Sequence, residues 1–243
     1  MPRFFVEQSV VPGQPLVLDG ENAHHISFSL RMRVGERLVV CAGGQAFPCS
    51  IQSFTASEVT VLPEAPLPET EPDLSVSVYL ALSKGDKFDF CIQKCIELGA
   101  TEIIPFRSEF CIVKGNGADT KEERRQKIAM EAAKQCGRTV VPRVWPVCSF
   151  ETALQRGAQT DLRLFCSERP DASALSALLR DGWQTSCKTV SVFTGPEGGF
   201  AQKEFDKAAE MGYNMITLGK RILRCETAPL CVLSALMYAS GEF

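Results

Sequence analysis

The sequence predicts an α/β protein that begins with a small β-barrel and continues as a parallel sheet with helices on both faces. Residues 1–61 contain short runs of β-branched and aromatic residues separated by Gly and Pro, which is typical of strands joined by turns. A stretch rich in Pro and Glu follows at 62–72 and predicts a stiff, exposed connector. From residue 73 onward strand-like and helix-like patterns alternate, and this alternation favours a parallel sheet.

Composition excludes several classes of protein. The chain has 243 residues, a formal charge of −3, and 45% hydrophobic residues, which is ordinary for a globular protein. No apolar run reaches the roughly 20 residues that span a bilayer, and the first residues lack the apolar core of a signal peptide, so we expect a cytoplasmic protein without membrane contact. The 11 cysteines show no Cys-x-x-Cys spacing, so neither a disulfide framework nor a metal site is expected. Three of them lie in apolar, helix-like stretches, where cysteine packs as a small hydrophobe: Cys91, Cys95 and Cys231.

The elements of the first domain, residues 1–72, can be placed in order. Strands are predicted at RFFV, LVL, RLVVCA, FPCSI and EVTVL, with a hairpin turn at 42–45 and one short helix near 21–30. Four arginines against eight acidic residues leave this domain with a charge of −4. Any contact with a polyanion must therefore come from a local cluster of basic residues.

In the second domain, residues 73–243, strands and helices are predicted in alternation. Alternating apolar residues predict a strand at 74–82, and Asp86 is expected to cap a helix that ends at Gly99. Further strands are predicted at TEIIPF, RVWPV, LRLFC, KTVSVF and NMITL. The remaining helices are predicted up to Gly137 with Cys136 inward, from about Ser149, around 172–180, over 202–211 and from about Glu226.

Two loops carry residue types suited to ligand binding, and each follows a predicted strand. Residues 194–200, TGPEGGF, contain three glycines that permit close approach of the backbone to a ligand, although a simple tight turn is an equal alternative. Residues 218–229, LGKRILRCETAP, place basic side chains around the apolar pair Ile222 and Leu223, which suits a flat purine; a solvated loop is the alternative here. Ligands of open α/β sheets bind beyond the carboxyl ends of strands.

Together the two loops carry a resemblance. TGPEGGF and LGKRILRCETA resemble the knotted SPOUT class of S-adenosylmethionine-dependent RNA methyltransferases, and within it the RsmE family of 16S ribosomal RNA uridine-N3 methyltransferases. The segments MPRFFV, HHISFSLRMRVGE, SKGDKFDFCIQKCIELGATEIIPF and IAMEAAKQCGRTVVPRV are also similar to that family, so the resemblance covers most of the chain. Three residues depart from the family pattern: Arg125 where Trp is usual, Cys225 where Thr is usual, and Pro229 where Ala is usual.

The resemblance implies a fold and a cofactor. Residues 1–72 are similar to a PUA-like β-barrel that binds RNA, and residues 73–243 to a homodimeric SPOUT domain whose carboxyl-terminal segment forms a trefoil knot. The last helix is apolar nearly all round and must be covered; a dimer interface and burial within one subunit would both achieve this. Contacts to S-adenosylmethionine are expected from Cys166, Thr194, Gly195, Pro196, Glu197, Gly198, Leu218, Gly219, Ile222, Leu223, Arg224 and Thr227.

Methylation at uridine N3 requires help with charge, because the N3 proton must leave and negative charge spreads onto O2 and O4. The candidates to stabilise that charge are Arg3, Arg138 and Arg224. Glu197 is the candidate base, with hydrogen bonding to loop amides as its equal alternative. His24 and His25 are expected to contact RNA or to pack rather than to act as the base.

Contacts to RNA are expected from basic residues, although a charge run on a helix is more often a solvated face. The candidates are Arg3, Arg31, Arg33, Lys84, Lys87, Arg124, Arg125 and Arg138. The sequence therefore predicts an S-adenosylmethionine-dependent uridine-N3 methyltransferase that acts on 16S ribosomal RNA or the small ribosomal subunit. A SPOUT methyltransferase with another RNA target and a non-catalytic RNA-binding assembly protein are the alternatives, and the intact cofactor loops argue against the second.

Overall fold

The chain folds into two compact units. The structure, a computed structural model, describes residues 1–112, 119–180 and 187–243. Unit 1 comprises Met1–Glu71 and Ala133–Val141, and unit 2 comprises Pro72–Ala132 and Pro142–Phe243. The division predicted at residue 72 places 133–141 in the second domain, whereas the contacts of this segment group it with unit 1.

Unit 1, all of whose residues are described, is built on a curled five-stranded sheet, a half-barrel. Its strands are β1 (Arg3–Phe5), β2 (Leu16–Leu18), β3 (Arg37–Ala42), β4 (Gln45–Phe54) and β5 (Val59–Pro63). They lie in the order β1-β3-β4-β5-β2, with β1 parallel to β3 and the other pairs antiparallel. The predicted hairpin turn is confirmed, because Ala42 pairs with Gln45 at the end of β3 and β4.

The core of unit 1 follows from the alternation of apolar residues along these strands. Val59 and Val61 on β5 point to the same face and are fully buried. Helix α1 (Gly20–His24) continues into a π-helical turn (His25–Ser29), and Ile26 of that turn packs into the same core. The one short helix predicted here is therefore an α-helix that widens into a π-helix.

Unit 2 is a sheet of eight strands in the described part of the chain, and all of their pairings are parallel. The strands are β6 (Ser75–Ala81), β7 (Glu102–Arg107), β8 (Arg143–Val144), β9 (Cys148–Ser149), β10 (Leu162–Cys166), β11 (Ser173–Ala174), β12 (Thr189–Thr194) and β13 (Asn214–Thr217). Their order is β11-β13-β10-β12-β6-β7-β8, and β9 also pairs with β7. The predicted parallel sheet is therefore confirmed. Strands β6 and β12 are buried along almost their whole length, as expected of strands covered on both faces.

Helices connect these strands. They are α2 (Asp86–Glu97), α3 (Asp119–Cys136), α4 (Phe150–Gly157), α5 (Leu175–Leu178), α6 (Gln202–Glu210) and α7 (Ala228–Ser240). None of the described helices is long and apolar enough to cross a membrane. Pro229 stands at the second position of α7, where its missing N–H would have no partner within the helix.

Two details of the helices differ from the prediction. Asp86 is the first residue of α2 and not its cap, because Gly85 takes the cap position with φ of 62°; the carboxylate still favours the positive end of the helix dipole. The helix predicted around 172–180 is reduced to the four residues of α5, because Ser173 and Ala174 pair with β13 as an edge strand.

The cysteines differ in how far they are buried. Cys91 and Cys95 on α2 are buried and pack as predicted, whereas Cys231 is exposed on α7. Cys136 is also exposed, contrary to prediction, because it is the last residue of α3 and the chain turns away at Gly137 with φ of 86°. Periodicity identifies the inward side of a helix, but it cannot tell whether a neighbouring element covers the last turn.

Candidate active site

The carboxyl ends of three neighbouring strands bring the two predicted loops together. Strand β10 lies between β12 and β13, so the segments that follow these strands leave the sheet at one edge. They surround a cavity of about 810 Å³. Its lining consists of Lys87, residues 166–170, residues 195–200, Phe205, residues 217–226 and Ala228.

All but two of the expected cofactor contacts line this cavity; Thr194 and Thr227 do not. Thr194 is buried at the end of β12, and its hydroxyl donates to the carbonyl of Tyr79 at 3.4 Å. Thr227 precedes α7, and its carbonyl accepts a hydrogen bond from the N–H of Cys231 at 3.0 Å. These two threonines secure the ends of the loops that form the cavity.

At two points of the loop 195–200 a side chain larger than that of glycine would be crowded. A Cβ at Gly195 would lie 3.1 Å from the ring of Phe200, and a Cβ at Gly198 would lie 3.0 Å from the Cβ of Phe110. Side chains at these positions would push neighbouring groups aside, so the absence of a Cβ lets the loop backbone pass close to the ring of Phe200 and to the Cβ of Phe110.

An aromatic cluster supports this loop, and sequence reasoning missed it. The ring of Phe200 lies 4.2 Å from that of Phe165 and 5.7 Å from that of Phe205, centroid to centroid. Stacking with Phe106 at 6.3 Å extends the cluster into the sheet core. The available signal was the phenylalanine that ends the TGPEGGF segment, directly after two glycines.

The loop 218–226 supplies the opposite wall of the cavity. Gly219 has φ of 109°, a conformation that favours glycine. The side chain of Ile222 is apolar, yet it is 77% exposed. This exposure is expected of a side chain that a flat ligand covers when it binds. Arg224 is also exposed on this wall.

Acidic side chains give the cavity a mixed charge. The carboxylates that line it are Glu168, Glu197 and Glu226. Glu197 accepts a hydrogen bond from the backbone N–H of Lys84 at 3.1 Å, which corresponds to the amide-binding alternative for this residue. The thiol of Cys225 donates to the Glu226 carboxylate at 3.1 Å and, as the largest cause, lowers the pKa of that carboxyl; Lys87, 3.5 Å away, adds to this effect.

The segment after β10 forms a third wall. Burial raises the pKa of the Cys166 thiol to about 12, so this sulfur is neutral. The hydroxyl of buried Ser167 accepts from the N–H of Arg169 at 3.1 Å, and the guanidinium of Arg169 lies 5.4 Å from the ring centre of Phe205. The sequence-based prediction included only Cys166 of this wall, because nothing local marks the following residues.

A buried carboxylate, that of Glu204, connects two segments next to the cavity through hydrogen bonds. Glu204, 4% exposed in the first turn of α6, accepts hydrogen bonds from the N–H of Ala201 at 2.8 Å, the hydroxyl of Ser108 at 2.9 Å and the N–H of Glu109 at 3.0 Å. It therefore joins the loop after β7 to the helix that follows the glycine-rich loop. The sequence signal was a Glu in the first turn of a predicted helix, the position from which Glu reaches back to a helix start.

The predicted RNA-contact residues of unit 2 have different surroundings. Lys84 is exposed, and Arg124 forms an ion pair with Asp89. Arg125 is buried with its guanidinium 4.9 Å from the ring centre of Phe88, and burial lowers its pKa. Arg125 therefore packs against Phe88 and is not open to a large anionic partner.

The predicted arginines of unit 1 also differ from one another. The Arg138 side chain is 8% exposed and donates through Nε to Glu71 at 2.9 Å. Arg3 on β1 is partly buried, whereas Arg31 and Arg33 are exposed. Only the last two are fully open to a large anionic partner.

The residues present around the cavity fit S-adenosylmethionine. The exposed apolar side chain of Ile222 matches an adenine face, and the glycine backbone of 195–199 can approach a ligand closely. The three carboxylates suit a sulfonium and an ammonium group, and Arg169 suits a carboxylate. Among the described residues, no cluster of His, Cys, Asp and Glu could hold a metal ion.

Comparison with known proteins agrees with this geometry. A family model described as an RNA methyltransferase domain matches residues 70–237. The chain is 37% identical to ribosomal RNA small subunit methyltransferase E of Bacillus subtilis, over 98% of this chain and 96% of the relative. It is 32% identical to the protein of the same name from Synechocystis, over 96% of this chain and 76% of the relative.

A solved structure extends the likeness to three dimensions. Ribosomal RNA small subunit methyltransferase E from Neisseria gonorrhoeae, bound to S-adenosyl methionine, matches with a TM-score of 0.85 at 33% identity, over 98% of this chain and 97% of that chain. The resemblance carried by the two loops is therefore confirmed, and the chain belongs to the RsmE family of ribosomal RNA small subunit methyltransferases.

Proposed function

We propose that this protein transfers the methyl group of S-adenosylmethionine to N3 of a uridine in 16S ribosomal RNA. Dependence on S-adenosylmethionine and action on ribosomal RNA follow from membership of the family. The observation that carries the proposal is the meeting of the glycine-rich loop and the basic loop at one cavity beyond the carboxyl ends of β10, β12 and β13.

The residues of the cavity have separate tasks in this reaction. When bound, S-adenosylmethionine supplies an electrophilic methyl group on a sulfonium. Ile222 and Leu223 would flank the adenine, and the backbone of 195–198 would hold the rest of the cofactor. Arg224 would stabilise the negative charge that develops when the N3 proton leaves. Glu197, if it releases the amide of Lys84, would accept that proton.

The role of Arg224 can be tested directly. Arg224 is exposed on the cavity wall and has no carboxylate partner among the described residues. We expect Arg224→Ala to lower kcat by about 10²- to 10³-fold, as the loss of one charge-stabilising donor does, when turnover is measured at saturating S-adenosylmethionine. Lys188→Ala, which removes a charge near the amino end of β12, is the matched control. Turnover of Arg224→Ala equal to that of the control would exclude the role.

Two domains with different tasks complete the proposal. Residues 1–72 would form the PUA-like RNA-binding domain, and residues 73–243 the SPOUT domain with its carboxyl-terminal trefoil knot. Contacts to phosphate would come from exposed Arg31, Arg33 and Lys84, so RNA affinity should fall steeply as salt rises. Action on ribosomal RNA would place the protein in the cytoplasm.

The proposal includes a homodimer formed through α7. This helix buries Val232, Leu233 and Leu236 within its own unit, yet Cys231 and Tyr238 are exposed, the latter to 76%. Residues 231 and 238 lie two turns apart on one side of the helix, so they form a stripe that a second copy of the chain could cover.

Two measurements test the function. Calorimetry with S-adenosylmethionine should detect binding at one site per chain. If no binding is detected, the alternative of a non-catalytic RNA-binding assembly protein is favoured. Nucleoside analysis of 16S ribosomal RNA from a strain that lacks the gene should show the loss of one N3-methyluridine. An unchanged 16S pattern together with a lost methyl group elsewhere would move the target to another RNA.

A further inference from the structure

The outer surface of residues 24–34 in unit 1 has a composition that the fold does not require. Phe28 is 64% exposed, and Arg31 and Arg33 beside it are exposed as well. Neither arginine side chain has a carboxylate partner in the described residues, whereas Arg37 of the same unit is paired with Glu64. An acidic domain thus presents an aromatic ring and two free cations on one short segment.

Backbone hydrogen bonds and one buried side chain fix the inner side of the segment 24–34. The π-helical turn is closed by hydrogen bonds from the N–H of Leu30 to the carbonyl of His25 at 2.9 Å and from the N–H of Met32 to the carbonyl of Ile26 at 3.0 Å. Ile26 is fully buried in the core of unit 1. The inner side of the turn is therefore anchored, and its outer side keeps a defined orientation.

The ring of Phe28 is supported from one side. The ring of His24 lies 4.8 Å from it, centroid to centroid, with an interplanar angle of 33°. This contact limits the rotation of Phe28 while most of its surface remains exposed. A ring positioned in this way loses little side-chain entropy when a second flat group stacks on it.

The backbone after the turn is strained. Arg31 has φ of 52° and is the only residue other than glycine with a positive φ in the described part of the chain. This conformation costs about 1 kcal/mol or more for such a residue, and strain of this kind is often retained at binding sites. The N–H of Arg33 then donates to Glu36 at 2.9 Å, which fixes the following turn.

These features together select a ligand chemistry. An exposed aromatic ring stacks on unpaired nucleobases, and adjacent guanidinium groups hold the flanking phosphates. A base-paired stem keeps its bases stacked inside the helix and offers no face to such a ring. An uncharged protein surface would offer no anionic groups to pair with Arg31 and Arg33.

We propose that the segment 24–34 is a binding site for single-stranded RNA, in which an unpaired base stacks on Phe28 and the flanking phosphates contact Arg31 and Arg33. This inference rests on the proposed function, in which the substrate is RNA, and adds that the protein recognises an unpaired nucleotide in addition to the methylated one.

Binding of the full-length protein to a short, unstructured oligouridine that carries one 2-aminopurine tests the site, because stacking quenches 2-aminopurine fluorescence. Phe28→Ala should weaken binding by about 5- to 150-fold, the range for the loss of one stacked base, and abolish the quenching. Phe28→Trp should retain both, and Phe28→Leu, which keeps apolar bulk without a ring, should lose both. Val11→Ala, an exposed apolar position in the same unit, is the matched control and should bind as wild type.

The arginines have a separate signature. Arg31→Ala and Arg33→Ala should each lower the slope of log affinity against log salt by about 1. A fully paired duplex should show no dependence on Phe28. Equal losses on duplex and single strand, unchanged affinity and quenching in Phe28→Ala, or a changed oligomeric state with unchanged RNA affinity would each overturn the proposal.

Methyl transfer by the wild-type protein to small ribosomal subunits is measured alongside. If that transfer is absent while oligouridine binding still depends on Phe28, the proposed function fails and the stacking site stands. If transfer is normal and the KM for RNA is the same in wild type and Phe28→Ala, the stacking site fails and the proposed function stands.

Discussion

Replacing Glu204 by glutamine tests whether one buried carboxylate holds the glycine-rich loop 195–200 in place. Glu204 Oε2 accepts from the N–H of Ala201 and the hydroxyl of Ser108, and Oε1 accepts from the N–H of Glu109. A glutamine side chain has one acceptor oxygen and one NH₂ group. In either orientation its NH₂ faces a backbone N–H, because both backbone partners are donors, so at least one buried hydrogen bond is lost.

The cost can be estimated from these contacts. A buried hydrogen bond to a charged group contributes about 1.5 to 3 kcal/mol, and about 1 kcal/mol shifts the midpoint of a chain of this size by roughly 2 to 4 °C. Glu204→Gln should therefore lower Tm by about 3 to 12 °C in scanning calorimetry. Because the loop after β7 and the helix that follows 195–200 lose their shared anchor, S-adenosylmethionine affinity measured by calorimetry should also fall.

The matched control is Glu210→Gln, which makes the same chemical change at an exposed position at the end of α6. We expect its Tm and cofactor affinity to equal those of wild type. Should Glu204→Gln melt with Glu210→Gln and bind S-adenosylmethionine as tightly, the reasoning that Glu204 anchors the loop would be refuted.

Two further predictions concern acid stability and thiol chemistry. Burial acts to raise the pKa of Glu71, but the guanidinium of Arg138 and the amides of residues 139–140 outweigh it and hold the pKa below the usual 4.5. The ionised Glu71 should therefore stabilise the folded protein fully above pH 4.5, and this stabilisation should be lost as the pH falls through the pKa of the folded state. The difference in unfolding free energy between wild type and Glu71→Gln should shrink on acidification, with Glu69→Gln as an inert control, and a pH-independent difference would contradict the assignment. Iodoacetamide at pH 8 should not modify Cys166, because burial raises the pKa of its thiol to about 12. It should modify exposed Cys231 only at protein concentrations at which the chain is monomeric. Equal labelling of Cys231 at all concentrations would argue against a dimer through α7.

Much of the fold could be predicted from the sequence because the signals are local. Alternating apolar residues at 74–82 and β-branched runs such as KTVSVF determine strands through the two-residue period of the pleat. The glycines of 194–200 and the basic residues of 218–226 could be recognised as a binding pattern because each loop contains its own chemistry. These segments also carried the resemblance to the family.

Other features depend on contacts between residues far apart in the chain. The burial of Arg125 over Phe88 and the exposure of Cys231 depend on which helix covers which, and no periodicity within one helix states this. The anchoring by Glu204 of a loop almost one hundred positions earlier, at Ser108, is of the same kind. The grouping of 133–141 with unit 1 likewise depends on contacts that composition along the chain does not reveal.

The sequence by itself determined most strands, most helices and the two loops proposed to bind the cofactor, because each is encoded in neighbouring residues. Only the tertiary structure decided that β10 lies between β12 and β13, and that the loops following these strands therefore share one cavity. The physical reason is that strand order results from the packing of the whole sheet, where the free energy of burial is shared among all the strands.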